Sequence, residues 1–348
     1  MSNKKSFTYA SAGVDIDKAD AAKSKIKALI ESTFNKNVVG GFGHFGGCYS
    51  GKFEGFDDPI TVSSSDSVGT KIKIACMMKK YDSVGIDIVH HCVNDIAVMG
   101  AQPQFFLDYI GIGKLEPGTI EEIIKGLVVG CKNAGTALIA GETAEMPDIY
   151  NPGEFDLAGF IVGVVDRNKI IDGSKIEPGD IVLGFKSSGL HTNGYTLARK
   201  IAFEHMGWAP DKHMDELGMS IGEALLTPHK LYLPVIEKLR DQSYVKGFAH
   251  VTGGGIVGNL KRIFREGLTF EINASAWEIP PIFKVLQEAG NVEPKEMFRA
   301  FNMGIGLACI VSEDAIVKVE ESFDDSESKP IIVGRVIEGQ QPRLNLNQ

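Results

Sequence analysis

Apolar and polar positions change period repeatedly along the chain, and each change marks a strand handing over to a helix. A helix is expected from about Asp20, where Ala22, Ile26, Leu29, Ile30 and Phe34 recur at helical spacing. The β-branched run Ile60-Thr61-Val62 follows a proline and predicts a strand; the small polar residues after it predict a turn, and residues 71–78 return to a helical pattern. Over 86–99, Ile88, Val89, Cys92, Val93, Ile96, Ala97 and Met99 nearly encircle a second helix, which implies burial on most sides. Residues 104–113 read as a buried strand, 119–122 as a capping box opening a helix to about Ala134, 137–140 as a strand and 155–165 as another. Around 166–179 the pattern breaks into Asp, Asn, Lys, Gly and Pro, so domains of 1–168 and 169–348 are expected. Strands at 180–185, 304–311 and 331–337 and helices after Tyr195, over 257–264 and over 313–322 follow. The class is α/β (α+β), in two domains.

Chemistry-bearing residues collect where strands give way to helices. Asp66 is expected at the end of a strand, with Gly69, Thr70 and Lys71 behind it: a carboxylate for a metal, an amide open to a phosphate, a hydroxyl and a positive charge. A plain strand-to-helix connection with Asp or Thr as N-cap fits the same residues. Asp95 lies inside the apolar pattern of the second helix, and a buried carboxylate must be paired or bind a cation, so Asp66 and Asp95 together suit Mg²⁺ bridging ATP phosphates. His90 and His91, on that helix, are read as structural. Glu142 follows a buried strand and is a candidate cation ligand or proton acceptor. Gly40, Gly41, Gly43, Gly46 and Gly47 crowd one loop, which suits a mobile surface segment or a lid over a nucleotide, yet matches neither the P-loop nor the Rossmann fingerprint. In the second half, His191 and Asn193 precede a helix, as do Thr252, Gly253 and Gly254. Lys27 reads as part of a solvated helix face.

Composition narrows the classes. A chain of 348 residues exceeds what one core usually supports. Net charge is -9 with no clustered Lys or Arg, which argues against nucleic acid, and no apolar run approaches membrane-spanning length. The five cysteines are scattered without a CxxC pair, as expected for reduced thiols in the cytoplasm.

Residues 9–17 (YASAGVDID), 40–47, 66–71 (DSVGTK), 92–95 (CVND), 105–109 (FFLDY), 141–147 (GETAEMP), 187–195 (SSGLHTNGY), 250–255 (HVTGGG) and 291–301 (NVEPKEMFRAF) add a further signal. Each is weak alone, but in this order and spacing the chain resembles the aminoimidazole ribonucleotide synthetase family, the phosphoribosylformylglycinamidine cyclo-ligases, over almost its whole length. The resemblance implies ATP-dependent ring closure on formylglycinamidine ribonucleotide: ATP phosphorylates the formamide oxygen, an amidine nitrogen attacks the activated carbon, and ADP and phosphate leave. It further implies Mg²⁺ and nucleotide phosphates at Asp66, Asp95 and Glu142, phosphate contacts from Thr70 and Lys71, a lid at 40–47 and a nucleotide contact from Lys27. His191 and Asn193 would face the substrate, His191 for proton transfer or charge stabilisation, and Thr252 to Gly254 would cradle the ribose phosphate. A homodimer is implied, with the first sheet pairing with its copy; a monovalent-cation requirement is left open.

Two positions depart from the family pattern: Ser67 replaces a glycine, at a cost of about 1 kcal/mol if a positive φ is needed, and Ala140 replaces another. Rival readings are a thiamine-phosphate kinase, a selenophosphate synthetase, which would need a cysteine ahead of Cys48, and a non-catalytic nucleotide-binding regulator.

Overall fold

The strand β1 (Pro59–Ser67) runs further than the apolar pattern implies, because Ser63, Ser64, Ser65 and Ser67 belong to the strand and not to a turn. The computed structural model describes residues 26–114, 116–325 and 328–346, so the lead-in at 9–17 and the expected helix start near Asp20 lie outside the described residues. Ser67 is not in the left-handed region; the turn is made by Gly69, at φ +68°, where glycine is unstrained. The serine therefore costs nothing on this account.

After the turn come α1 (Lys71–Met78), α2 (Asp82–Ala97), β2 (Gln102–Ile112), α3 (Pro117–Asn133), β3 (Ala137–Glu145) and β4 (Phe155–Asp166). Among the described residues these strands form a sheet of order β1-β4-β2-β3, with β2 and β3 parallel and the other pairs antiparallel. The helix α3 opens on Pro117 behind Glu116 rather than on a capping box at Thr119, since proline at the first helical position gives up only an N–H that had no helical partner.

The apolar faces of α2 and α3 cover one side of the sheet, and glycines let them approach closely. A Cβ on Gly126 would stand 1.9 Å from the Asp82 carbonyl oxygen, and one on Gly85 2.3 Å from that of Ile123. The opposite side is uncovered: Thr61, Ser63, Ser65 and Phe160 are exposed there.

The second sheet contains β5 (Ile181–Lys186), β6 (Val245–His250), β7 (Leu268–Asn273), β8 (Ile305–Val311), β9 (Ile331–Glu338) and β10 (Arg343–Asn345), in the order β6-β8-β5-β9-β7-β10. The strand β8 is apolar and buried throughout, as an interior strand covered on both faces requires. Helices α4 (Tyr195–Arg199), α5 (Ile221–Leu226), α6 (Leu233–Leu239), α7 (Gly255–Leu260), α8 (Pro281–Gly290), α9 (Pro294–Ala300) and α10 (Ile316–Glu321) pack around it. The first sheet ends at Asp166 and the second begins at Ile181. Asn94, on the buried helix α2, joins the halves: its amide donates to the Lys230 carbonyl (2.9 Å) and accepts from the Tyr232 N–H (2.8 Å).

The close contact of α2 and α3 leaves no room for a side chain at Gly126. Gly126→Val is expected to lower unfolding free energy by about 1–3 kcal/mol in urea denaturation, the usual cost of overpacking; an unchanged midpoint would contradict this packing.

Candidate active site

Asp87, His91 and Asp95 recur at four-residue intervals, so they share one face of α2. The end of β1 brings Asp66 beside them, and three segments of the second half pack against the stripe: 187–195, 227–232 and the end of β6. His91 Nε2 lies 3.0 Å from Asp66 Oδ2 and 4.0 Å from Asp95 Oδ2. Asp95 Oδ1 meets His250 Nδ1 at 2.8 Å, and the Ser64 hydroxyl donates to its other oxygen at 3.3 Å. Thr192 Oγ1 stands 2.8 Å from His91 Nδ1 and 3.4 Å from His229 Nδ1, and His229 Nε2 is 2.9 Å from His250 Nε2. An unbroken hydrogen-bonded path thus runs from Asp66 to Asp95, through groups contributed by both halves.

Burial and charge set these groups apart. Burial opposes a proton on His91, but Asp66 and Asp95 outweigh it and raise its pKa above the ordinary value. Burial lowers the pKa of His250 despite Asp95, and lowers those of His191 and His229 further, helped by neighbouring imidazoles and, at His191, by Lys71 and Lys230. Burial acts to raise both Asp66 and Asp95, yet His91 and His250 respectively hold them below the usual carboxylate range.

His191 stacks on His229, with ring centroids 4.1 Å apart, at a backbone φ of +63°. Its Nε2 accepts the Ser188 N–H at 3.2 Å, which leaves the proton of the neutral ring on Nδ1; that atom is buried without a hydrogen-bond partner among the described residues. Asn193 lies against Gly253, whose added Cβ would be 3.2 Å from Asn193 Oδ1, so the two loops expected to face the substrate do meet. Thr252 bonds to Asn259, while Gly253 and Gly254 are exposed.

Two expectations are corrected by position. Lys71 is fully buried, with its ammonium directed at Asp87 (2.8 Å) and the carbonyls of His191 and Thr227, so in this arrangement it presents no charge to a phosphate. Glu142 is inside β3, not at its end, in the row Ser67, Ala158, Tyr109, Glu142; Asp66 is in the next row, on the other face. Three strand spacings, about 14 Å, separate Glu142 from β1, so it cannot share an ion with Asp66 and Asp95 of its own chain. His91, read as structural, lies between the two carboxylates.

The remaining candidates lie apart from this centre. Thr70 is exposed and its hydroxyl pairs with that of Thr196 at 3.1 Å. Lys27 is exposed beside Glu31. Gly40, Gly41, Gly43 and Gly46 are exposed in a loop flanked by the short hairpin of Val38–Val39 with Cys48–Tyr49, and Gly47 seats that loop against Ile139 of β3.

A cavity of about 430 Å³ opens beside the centre, with Asp95 and His250 in its wall, apolar sides from Met99 and Phe248, and Asn259 and Arg262 from the second half. Arg262 makes no ion pair among the described residues, and no sequence motif had drawn attention to it.

Residues 56–165 match the family model described as AIR synthase related protein, N-terminal domain, and residues 177–347 match its C-terminal domain. The phosphoribosylformylglycinamidine cyclo-ligase of Desulfatibacillum aliphaticivorans is 46% identical over 332 residues, covering 95% of this chain and 96% of that protein. The chain belongs to the phosphoribosylformylglycinamidine cyclo-ligase family. Its fold is shared more widely. The thiamine-monophosphate kinase from Stenotrophomonas maltophilia K279a superposes with a TM-score of 0.68 at 17% identity, over 93% of this chain and 96% of that one. The hydrogenase maturation protein HypE in complex with ATP does so with 0.63 at 15% identity, over 92% and 86%.

The imidazoles of this family member pull stability in opposite directions. His91, raised by folding, contributes stability that is present below the ordinary histidine value and lost as pH rises through its folded pKa; His191, His229 and His250, lowered by folding, cost stability below the ordinary value. Unfolding free energy is therefore expected to rise with pH up to about 6.5, the ordinary histidine value, and His91→Gln to steepen the rise. Denaturant titrations across that range test this; a flatter profile in the variant would contradict it.

Proposed function

We propose that the chain closes the imidazole ring of formylglycinamidine ribonucleotide, consuming ATP and releasing ADP and phosphate with aminoimidazole ribonucleotide, as a ligase of de novo purine biosynthesis. The observation that carries this reading is the near-full-length identity to a cyclo-ligase, joined to a cleft in which both halves supply the reactive groups.

The reaction asks for charge neutralisation around a transferred phosphoryl group and for removal of protons as the ring closes. Asp66 and Asp95 are the partly exposed carboxylates of the centre, 40% and 26% accessible on either side of His91, and each would offer an oxygen to a hydrated cation. Mg²⁺ bound there with the nucleotide supplies neutralising charge, since such ions take few protein carboxylates and complete their shell with phosphate and water. His250 and His229, neutral and hydrogen-bonded to one another, are bases able to accept a proton from the amidine side. The neutral Nδ1–H of His191 is a donor suited to an oxygen gaining charge. The cavity beside Asp95 holds the ribonucleotide, with the Arg262 guanidinium on its phosphate.

The uncovered face of the first sheet, with Phe160 44% exposed, supports pairing with a second copy. Glu142 projects on that same face, and the lid rests on the edge strand β3 beside it, so both would act in the assembled dimer and not at the carboxylates of their own chain. Among the described residues no helix is long and apolar enough to cross a membrane.

Purified protein with ATP, Mg²⁺ and formylglycinamidine ribonucleotide is expected to yield aminoimidazole ribonucleotide and phosphate in equal amounts. No product with ATP binding intact would exclude the reading. Arg262→Met is expected to raise KM for the ribonucleotide about tenfold or more while leaving KM for ATP unchanged, the scale of one charge-assisted hydrogen bond. Phe160→Asp is expected to give monomers in sedimentation velocity; an intact dimer would move the interface elsewhere.

A further inference from the structure

Lys71 and Asp87 are both 0% exposed and stand 2.8 Å apart. Both come from the first half of the chain, yet their remaining bonding capacity is directed into the second. The Lys71 ammonium donates to the carbonyls of His191 (3.0 Å) and Thr227 (2.8 Å), and it lies over the Tyr195 ring, 5.5 Å from its centroid. Asp87 Oδ1 accepts the backbone N–H of His229 at 2.7 Å. One ion pair therefore grips three backbone groups, on the two segments that carry the stacked imidazoles.

The grip falls where the backbone needs holding. His191 is at φ +63°, a conformation that residues other than glycine keep only when their surroundings fix it. The space around its ring is equally constrained: a Cβ on Gly306 would approach its Cε1 to 2.5 Å. Burying two charges is a poor route to stability, because apolar residues of similar volume often do as well or better, whereas the directional bonds of an ion pair can specify one geometry.

We propose that the Lys71–Asp87 pair is a positioning device for the reaction, fixing the backbone at His191 and His229 so that their imidazoles meet His250 at the cleft and the two halves dock in one register. The inference rests on the cyclo-ligase reading for its kinetic consequence, though not for its structural one. Neither residue touches substrate on this account.

Lys71→Met alone would strand a buried carboxylate, so the informative variant is Lys71→Met/Asp87→Leu, which removes both charges at similar volume. If it does not fold, Lys71→Met/Asp87→Asn, which keeps an acceptor for the His229 N–H, takes its place. The variant is expected to keep a cooperative melting transition and the wild-type KM for ATP, but to lose about a hundredfold in kcat, as displaced reactive groups do. The imidazole resonances of His191 and His229 in ¹H–¹⁵N spectra should shift, while those of His44 and His205 stay in place. A folded variant with wild-type kcat and unmoved resonances overturns the proposal, as does a loss confined to KM. If the wild-type chain fails to cyclise the ribonucleotide, the cyclo-ligase reading falls, and the resonances alone decide the positioning role.

Discussion

An ammonium and a carboxylate buried together at the junction of two domains constrain how those domains can meet. Leaving either charge unpaired in the interior is heavily unfavourable, and the Lys71–Asp87 contact meets the demand only with help from carbonyls and an amide of the second half. Asn94 adds a second tie of the same kind, an amide satisfied at both ends by backbone across the junction. Register between the halves is thus set by directional polar bonds, with apolar packing around them.

That register brings the histidines to the carboxylates. Along α2 the four-residue spacing of Asp87, His91 and Asp95 gives one stripe two sets of contacts: its first member bonds to the second half, and the other two enter the hydrogen-bonded network of carboxylates and imidazoles. His91 sits between two carboxylates and is favoured as a cation, while His191, His229 and His250, deeper and beside other basic groups, are favoured as neutral rings. Charged and neutral imidazoles within one network offer both charge neutralisation and proton acceptance, the two needs of a ring closure driven by phosphoryl transfer.

Much of this was legible along the chain, and the failures have physical causes. The near-encircling apolar pattern of α2 marked Asp95 as a carboxylate in need of a partner; it is half-buried rather than buried, and its partner is His250. Lys71 was misread because a lysine opening a helix after Gly-Thr looks exposed; its burial depends on carbonyls 120 and 156 residues further on, beyond any local pattern. Glu142 was placed at a strand end because the apolar run stops at Ala140, whereas this edge strand continues to Glu145 through residues that are exposed or half-buried. His229 lies in a polar segment without periodicity, and only the tertiary fold reveals it beside His250.

In the proposed reaction a phosphoryl group passes from ATP onto the formamide oxygen of the ribonucleotide and turns that oxygen into a leaving group. Running the reaction on substrate labelled with ¹⁸O at that oxygen, and taking the mass spectrum of the released phosphate, tests it most directly. One labelled oxygen is expected in each phosphate formed. Unlabelled phosphate, with the label recovered in water, would contradict it.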